Sequence, residues 1–155
     1  MKIMSLNTKT SSRAVDLVVV SLANLVNIIM VFIFLLRIQG VQHPPIFGWI
    51  WFVFVVLLGG AVVLNVRAKR TWWFIVLPLL LALFLILELA LDYVLQIDFR
   101  GTWILGPYLL LYYAAIMGMI GYAFLTEKKF GVITLGTYFA SQIAALISYI
   151  NVGHG

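Results

Sequence analysis

Two carboxylates interrupt the third apolar stretch of the sequence, and their type and spacing give them the clearest capacity for chemistry. Glu88 and Asp92 are four residues apart, so on a helix they share one face, which Gln96 continues. Ionisable side chains inside a membrane span carry a high free-energy cost and mark functional sites by default. Burial and like charge both disfavour ionising the pair. We therefore expect a shared proton, a bound cation or an arginine partner.

Two arginines, Arg37 and Arg100, are predicted to lie at the same end of the molecule as these carboxylates. Two interpretations stay open. In the first, the charged groups form a salt-bridge or hydrogen-bond cluster that holds the helix ends together. In the second, Glu88 and Asp92 form a site for a substrate, a cation or a proton. Asp16, beside Arg13 at the other end, is expected to lie on the surface.

Tyrosines in the fourth apolar stretch are predicted to lie at a similar depth to the carboxylates. Tyr108 and Tyr112 are four residues apart and share a helix face. Their hydroxyls can hydrogen-bond the carboxylates, or their rings can line a pocket for a flat ligand or a cation. The alternative is an aromatic belt at the membrane interface.

Amide side chains in the first and fifth stretches extend the set of polar groups at mid-depth. Asn24 and Asn27 share a face of the first stretch, and Gln142 lies in the middle of the fifth. They can join the carboxylates in a polar path through the molecule. Interhelical hydrogen bonds, which hold helices together in lipid, are the favoured alternative.

Sequence motifs of enzymes are missing from the chain. It has no His-Glu-x-x-His pair, no Gly-x-Ser-x-Gly and no Walker loop. Its two histidines, His43 and His154, fall outside the apolar stretches, and it has no cysteine. The sequence therefore indicates no catalytic residue, no metal site and no particular cofactor, and it favours a protein that is not an enzyme.

The composition identifies the surroundings that must position these groups. Hydrophobic residues make up 65% and charged residues 10% of the 155 residues, whereas a soluble domain is about half apolar and a quarter charged. A soluble fold of this length cannot hide so much apolar surface. A soluble enzyme, a nucleic-acid-binding module and a disordered chain are therefore excluded, and the lipid bilayer is the expected partner.

Five stretches are long enough to cross the hydrocarbon core as helices of about 20 residues. None has the period-two alternation of a membrane barrel. The sequence predicts one domain over residues 1–155, an all-α integral membrane bundle of five transmembrane helices. The predicted spans are residues 15–36, 46–66, 72–95, 103–125 and 132–150.

The basic residues predict how the chain is threaded. Eight of the ten Lys and Arg residues precede the first span or lie in the second and fourth connections between spans. Positive residues favour the cytoplasmic side. We therefore expect a multi-pass protein of the cell membrane with its N-terminus in the cytoplasm and its C-terminus outside. This placement also accounts for the net charge of +5 without a nucleic-acid partner.

The fifth span carries small residues at every fourth position. Small side chains let helices approach closely in lipid. The stripe is expected to pack within the bundle, or else against a second copy or another subunit of a membrane complex. Its members are Gly136, Ala140, Ala144 and Ser148.

Together these features predict a small binding or transport protein for a small ligand, a cation or a proton. Glu88, Asp92, Tyr108 and Tyr112 form its outward-facing carboxylate–tyrosine cluster. The main alternative is a non-catalytic accessory or scaffold subunit of a larger membrane complex. A third hypothesis, a lipid-modifying membrane enzyme, has no motif in its favour.

Overall fold

The structure, a computed structural model, describes residues 2–41 and 44–152, with side chains from residue 12 onward. This part of the chain is helical and has no strand. Five α-helices follow one another, and the third continues into a short π-helical segment over Leu89–Val94. The helices are α1 Lys2–Ile38, α2 Pro45–Arg67, α3 Trp73–Glu88, α4 Leu105–Thr126 and α5 Lys128–Val152.

All five helices contain a segment long and apolar enough to cross a membrane, which confirms the predicted number of apolar helices. The helix bounds lie within a few residues of the predicted spans, except that α1 starts well before its apolar stretch. Pro45 occupies the first turn of α2, where its missing N–H removes no helical hydrogen bond. The candidate spans are Ser12–Ile38, Pro45–Arg67, Trp73–Val94, Leu105–Thr126 and Lys128–Val152.

The helices form a closed ring. Going round it, α1 packs against α5, α5 against α4, α4 against α3, α3 against α2, and α2 returns to α1, while α1 also touches α4 across the centre. Trp51, Phe84 and Met119 are among the side chains buried inside. Large apolar side chains such as Phe52, with half of its surface exposed, cover the outside. This arrangement suits a bundle whose surroundings are apolar.

Short connections join helices that are neighbours in the ring, so successive helices run in opposite directions. One end of the bundle, the basic end, carries Arg13, Arg67 at the end of α2 and Lys129 at the start of α5. The other end, the cavity end, carries Arg37 at the end of α1 and Arg100 in the α3–α4 connection.

The π-helical segment sets the geometry of the cavity end. It follows directly after Glu88 and contains Asp92. Helical structure stops at Val94, and Gln96 is exposed with a φ of 51°. The expectation that Gln96 continues the face of the two carboxylates is therefore wrong, because the chain has left the helix before reaching it.

Candidate functional site

Asp92 is bound by two arginines at the cavity end. Arg100 donates from Nη1 to Asp92 Oδ1 at 3.0 Å and from Nη2 to Oδ2 at 2.6 Å, a bidentate ion pair. Arg37 Nη2 lies 3.9 Å from the same Oδ2. Burial lowers the pKa of the Arg100 guanidinium, but the hydrogen bonds and the charge of Asp92 outweigh burial and raise it above its ordinary value. Asp92 thus has an arginine partner, one of the three alternatives expected from the sequence.

Glu88 has a different partner from Asp92. It is 2% exposed, and the hydroxyl of Tyr108 donates to its Oε2 at 2.6 Å. The Tyr108 ring is held by aromatic neighbours, 5.7 Å from the Phe84 ring centroid and 4.8 Å from that of Phe99. The Glu88–Tyr108 hydrogen bond therefore ties α3 to α4 just inside the cavity end.

The Arg37 side chain is nine-tenths buried, and its guanidinium forms no hydrogen bond with the described residues. Its side chain is 10% exposed and its guanidinium lies 5.5 Å from the Phe34 ring centroid. Its contact with Asp92 at 3.9 Å is too long for a hydrogen bond. Within residues 12–41 and 44–152 it has no closer polar partner. A guanidinium has five N–H donors, so this buried group is left with bonding capacity to offer.

Two cavities meet at the arginines. The wide cavity, of about 710 Å³, is lined by Asp92, Tyr93 and Trp49 among others. The tyrosine cavity, of about 350 Å³, lies between α1, α4 and α5. Its polar and aromatic lining consists of Phe34, Arg37, Glu88, Arg100, Tyr108, Tyr112, Tyr113, Gln142 and Tyr149. Arg37 and Arg100 line both cavities.

The tyrosine cavity gathers most of the site residues predicted from the sequence. Gln142 Nε2 donates to the Tyr112 hydroxyl at 2.7 Å, which joins α5 to α4 at the cavity wall. Glu88, Tyr108, Tyr112 and Gln142 all line this cavity, whereas Asp92 lines the wide one. The predicted carboxylate–tyrosine cluster is therefore divided. Glu88 binds Tyr108 at the tyrosine cavity, and Asp92 binds Arg100 at the wide cavity.

Asn24 and Asn27 lie elsewhere, in the contact between α1 and α5. Asn24 Nδ2 donates to Thr134 Oγ1 at 3.1 Å, and Thr137 Oγ1 donates to Asn24 Oδ1 at 2.8 Å. Asn27 Nδ2 donates to Thr137 Oγ1 at 3.1 Å. Neither asparagine lines either cavity. These contacts favour interhelical hydrogen bonding over a polar path.

A second charged cluster lies at the basic end, where the sequence predicted a surface residue. Asp16 is 7% exposed and is bound in bidentate fashion by Arg70, with Nη2 donating to Oδ2 at 3.1 Å. The Tyr122 hydroxyl also donates to Asp16 Oδ1, at 2.6 Å. The surface expectation for Asp16 is wrong. Asp16 lies eleven residues, or three helical turns, before Asn27, so both residues share one buried face of α1. This spacing is the sequence feature from which the burial of Asp16 could have been predicted.

The small-residue stripe of α5 divides between the inside and the outside of the bundle. Ala144 and Ser148 are buried within the chain, whereas Gly136 and Ala140 are exposed. Any contact of this stripe with another helix would therefore use its first half.

Among the described residues, no group of three His, Cys, Asp or Glu side chains is placed to hold a metal ion. His43 and His154, the two histidines considered from the sequence, lie outside the described residues. Comparison of the chain with protein-family models, with curated proteins and with solved structures finds no match.

Proposed function

We propose that this chain is a multi-pass membrane protein that binds a small ligand in the tyrosine cavity, either to carry it or to sense it. The observation that supports this most is a 350 Å³ cavity lined by Arg37, Glu88 and four tyrosines in a chain that is otherwise strongly apolar. Cavities of this size are typical of small-molecule sites. Buried ionisable groups facing a cavity in a bundle are typical of functional sites in membrane proteins.

Between a small ligand and a metal cation, the arrangement of charges favours the small ligand. Both oxygens of Asp92 already accept bonds from Arg100. A bound metal cation would need free carboxylate oxygens and would be repelled by the two guanidiniums beside them. A small organic molecule does not require free carboxylate oxygens, and it can contact the apolar and aromatic walls of the cavity.

An accessory role in a larger membrane complex is the second candidate. Its supporting observation is the exposure of Gly136 and Ala140 on α5, where a neighbouring helix could approach closely. The substitution Ala140→Phe tests it. An accessory role requires this variant to release a subunit or a second copy that copurifies with the wild type. If no such component exists, or if it stays bound, this candidate fails.

We also propose that the N-terminus is cytoplasmic and that the cavity end faces outward from the cell membrane. The support is the distribution of basic residues, since Arg13, Arg67, Lys69 and the Lys128–Lys129 pair all lie at the basic end. In this orientation a ligand would reach the tyrosine cavity from outside the cell.

The small-ligand proposal is tested by blocking the cavity. Ala145 lines it, so Ala145→Phe should fill part of the space. The neighbouring Leu146 is 59% exposed, which makes Leu146→Phe a matched control. Purified protein is heated with L-leucine, 3-methylbutylamine, 4-methylpentanoate, phosphocholine or glucose, because a ligand that binds the folded state raises Tm. We expect at least one probe to stabilise the wild type and the control but not Ala145→Phe. Equal stabilisation of Ala145→Phe contradicts the proposal, and so does failure of both these soluble probes and phospholipids to bind the wild type.

A further inference from the structure

We infer that the ligand of the tyrosine cavity is a zwitterion, a molecule with a cationic nitrogen and an anionic group close together. Arg37 would bind the anionic group and Glu88 the cationic one. This inference rests on the small-ligand function proposed above and adds the chemical class of the ligand.

The anionic group of the ligand would be bound by the Arg37 guanidinium. It is nine-tenths buried, lines the cavity and has no hydrogen-bond acceptor among the described residues. Burying a charged donor without an acceptor is unfavourable, and carboxylate and phosphate oxygens match the planar fork of a guanidinium. Arg100, the other cation of the cavity, is already bonded through both of its terminal nitrogens to Asp92. Arg100 thus spends two of its donors on Asp92, whereas no side-chain hydrogen bond of Arg37 is formed within the described residues. Arg37 is therefore the better placed donor for a ligand.

The cationic nitrogen of the ligand would be bound by Glu88 and its tyrosine neighbours. Within the described part of the chain, Glu88 accepts one hydrogen bond, from Tyr108 to Oε2. A carboxylate has about four lone-pair positions, so it retains acceptors for an ammonium group. The rings of Tyr112 and Tyr113 line the same space and can attract a cation through their faces.

The balance of charge selects a zwitterion over a singly charged molecule. Arg37, Arg100, Glu88 and Asp92 together are formally neutral. In surroundings of low dielectric constant, a bound anion or cation would leave one charge uncompensated, which is strongly unfavourable. A zwitterion brings one charge of each sign, so every charge keeps a partner and the site stays neutral.

Two sources carry this chemistry. One is a free amino acid, and the other is a lipid headgroup such as phosphoethanolamine, since the cavity lies at one end of the candidate spans. Both present an amino group and an acidic group a few bonds apart. The experiment therefore has a soluble arm and a lipid arm.

In the soluble arm, L-leucine is compared with 3-methylbutylamine, which lacks its carboxylate, and 4-methylpentanoate, which lacks its amine. In the lipid arm, native mass spectrometry compares retention of dimyristoyl phosphatidylethanolamine with dimyristoyl phosphatidylglycerol. We expect the zwitterion to bind about tenfold or more tightly than its singly charged analogues in one arm, because each lost charge leaves a buried partner unpaired. This comparison uses the wild-type protein and needs no variant to fold.

Two substitutions then assign the halves of the site. In the soluble arm, Arg37→Gln should remove the preference for the zwitterion over the amine. In either arm, Glu88→Gln should remove the preference for the zwitterion over the acid or the anionic lipid. Arg67→Gln, at an exposed position, and Glu127→Gln, at a partly exposed one, both lie at the basic end, serve as controls and should keep both preferences.

The inference is overturned if the zwitterion shows no preference in either arm, or if folded Arg37→Gln and Glu88→Gln proteins both keep it. The function proposed above survives that result if a singly charged or uncharged probe binds and Ala145→Phe blocks it. Failure of every probe to bind removes both proposals.

Discussion

The guanidinium of Arg70 holds together several side chains at the basic end. It binds both carboxylate oxygens of Asp16, donates to Asn65 Oδ1 at 3.1 Å and stacks 3.7 Å from the Phe74 ring centroid. Asn65 in turn donates to the Phe74 carbonyl at 2.7 Å. One side chain therefore links the first half of α1 to the end of α2 and the start of α3. Its loss leaves a buried carboxylate without its cation.

Replacing Arg70 by Gln should destabilise the protein by about 3–5 kcal/mol, the typical effect of breaking a buried ion pair. The measurement is unfolding by increasing SDS in mixed micelles. Arg67→Gln, an exposed neighbour in sequence, is the matched control and should change stability by less than about 0.5 kcal/mol.

The double variant Asp16→Asn/Arg70→Gln separates the ion pair from other effects of the substitution. Because it removes the orphaned charge, it should be more stable than Arg70→Gln alone. A double variant that loses the sum of the two single effects would show that Asp16 and Arg70 do not stabilise each other.

At the scale of the element, the π-helical segment depends on one glycine of α2. The ring of Tyr93 packs on Gly48, and a Cβ at that position would lie 2.9 Å from Tyr93 Cδ1 and 3.0 Å from Cγ. Tyr93 follows Asp92 directly in the π-helical segment. The close approach of α2 therefore helps to fix the turn that presents Asp92 to the arginines.

Gly48→Ala should destabilise the protein by about 1–3 kcal/mol because the added methyl group overpacks this contact. Gly59, also in α2, has open space around its Cβ position. Gly59→Ala should leave stability unchanged or raise it slightly, because alanine favours helix over glycine. Thermal unfolding of both variants in one detergent measures the difference. Equal Tm values for the two variants would contradict the role given to Gly48.

The α4–α5 connection provides a pH-dependent contact at the basic end. The Lys129 ammonium, 3.1 Å from Glu127 Oε2, and the Arg13 guanidinium, 3.0 Å from Oε1, hold the pKa of the Glu127 carboxyl below its ordinary value of 4.5. A lowered pKa in the folded state gives stability that is fully present above the unfolded pKa. That stability is lost as the pH falls through the lowered pKa.

Glu127→Gln should therefore be slightly less stable than the wild type at neutral pH, and the gap in Tm should close as the pH falls below about 4.5. The effect is small because the group is exposed. Lys129→Gln should show the same trend in weaker form, since it removes one of the two cations. If the difference in Tm widens in acid instead, the ionised Glu127 carboxyl does not stabilise the folded state.

At the scale of the whole molecule, the number of helices could be read from the sequence because hydropathy is local and each break carries charges, prolines or glycines. The sequence placed the arginines and Tyr108 within reach of the carboxylates, but it did not tell which carboxylate each of them binds. The helices are apolar on every side, so periodicity does not reveal the face that turns inward. Trp49 and Trp51 illustrate the limit: both open α2, yet the first is 70% exposed and the second is fully buried. The residue pattern predicted a plain helix over residues 72–95 and did not indicate the π-helical segment within it.

The threading proposed for the chain makes a prediction that concerns the molecule as a whole. In that threading, the odd number of spans would place the two termini in different compartments, and the excess of Lys and Arg at the basic end would place the N-terminus in the cytoplasm. Reporter fusions should therefore be active in the cytoplasm at the N-terminus and outside it at the C-terminus. Changing Arg67, Lys69, Lys128 and Lys129 to Gln leaves four basic residues against two, so a measurable fraction of the chains should insert inverted. Arg100→Gln removes a residue from the minority side and should not weaken the orientation. Two termini in one compartment would contradict five spans, and the tyrosine cavity would lose its proposed access from outside.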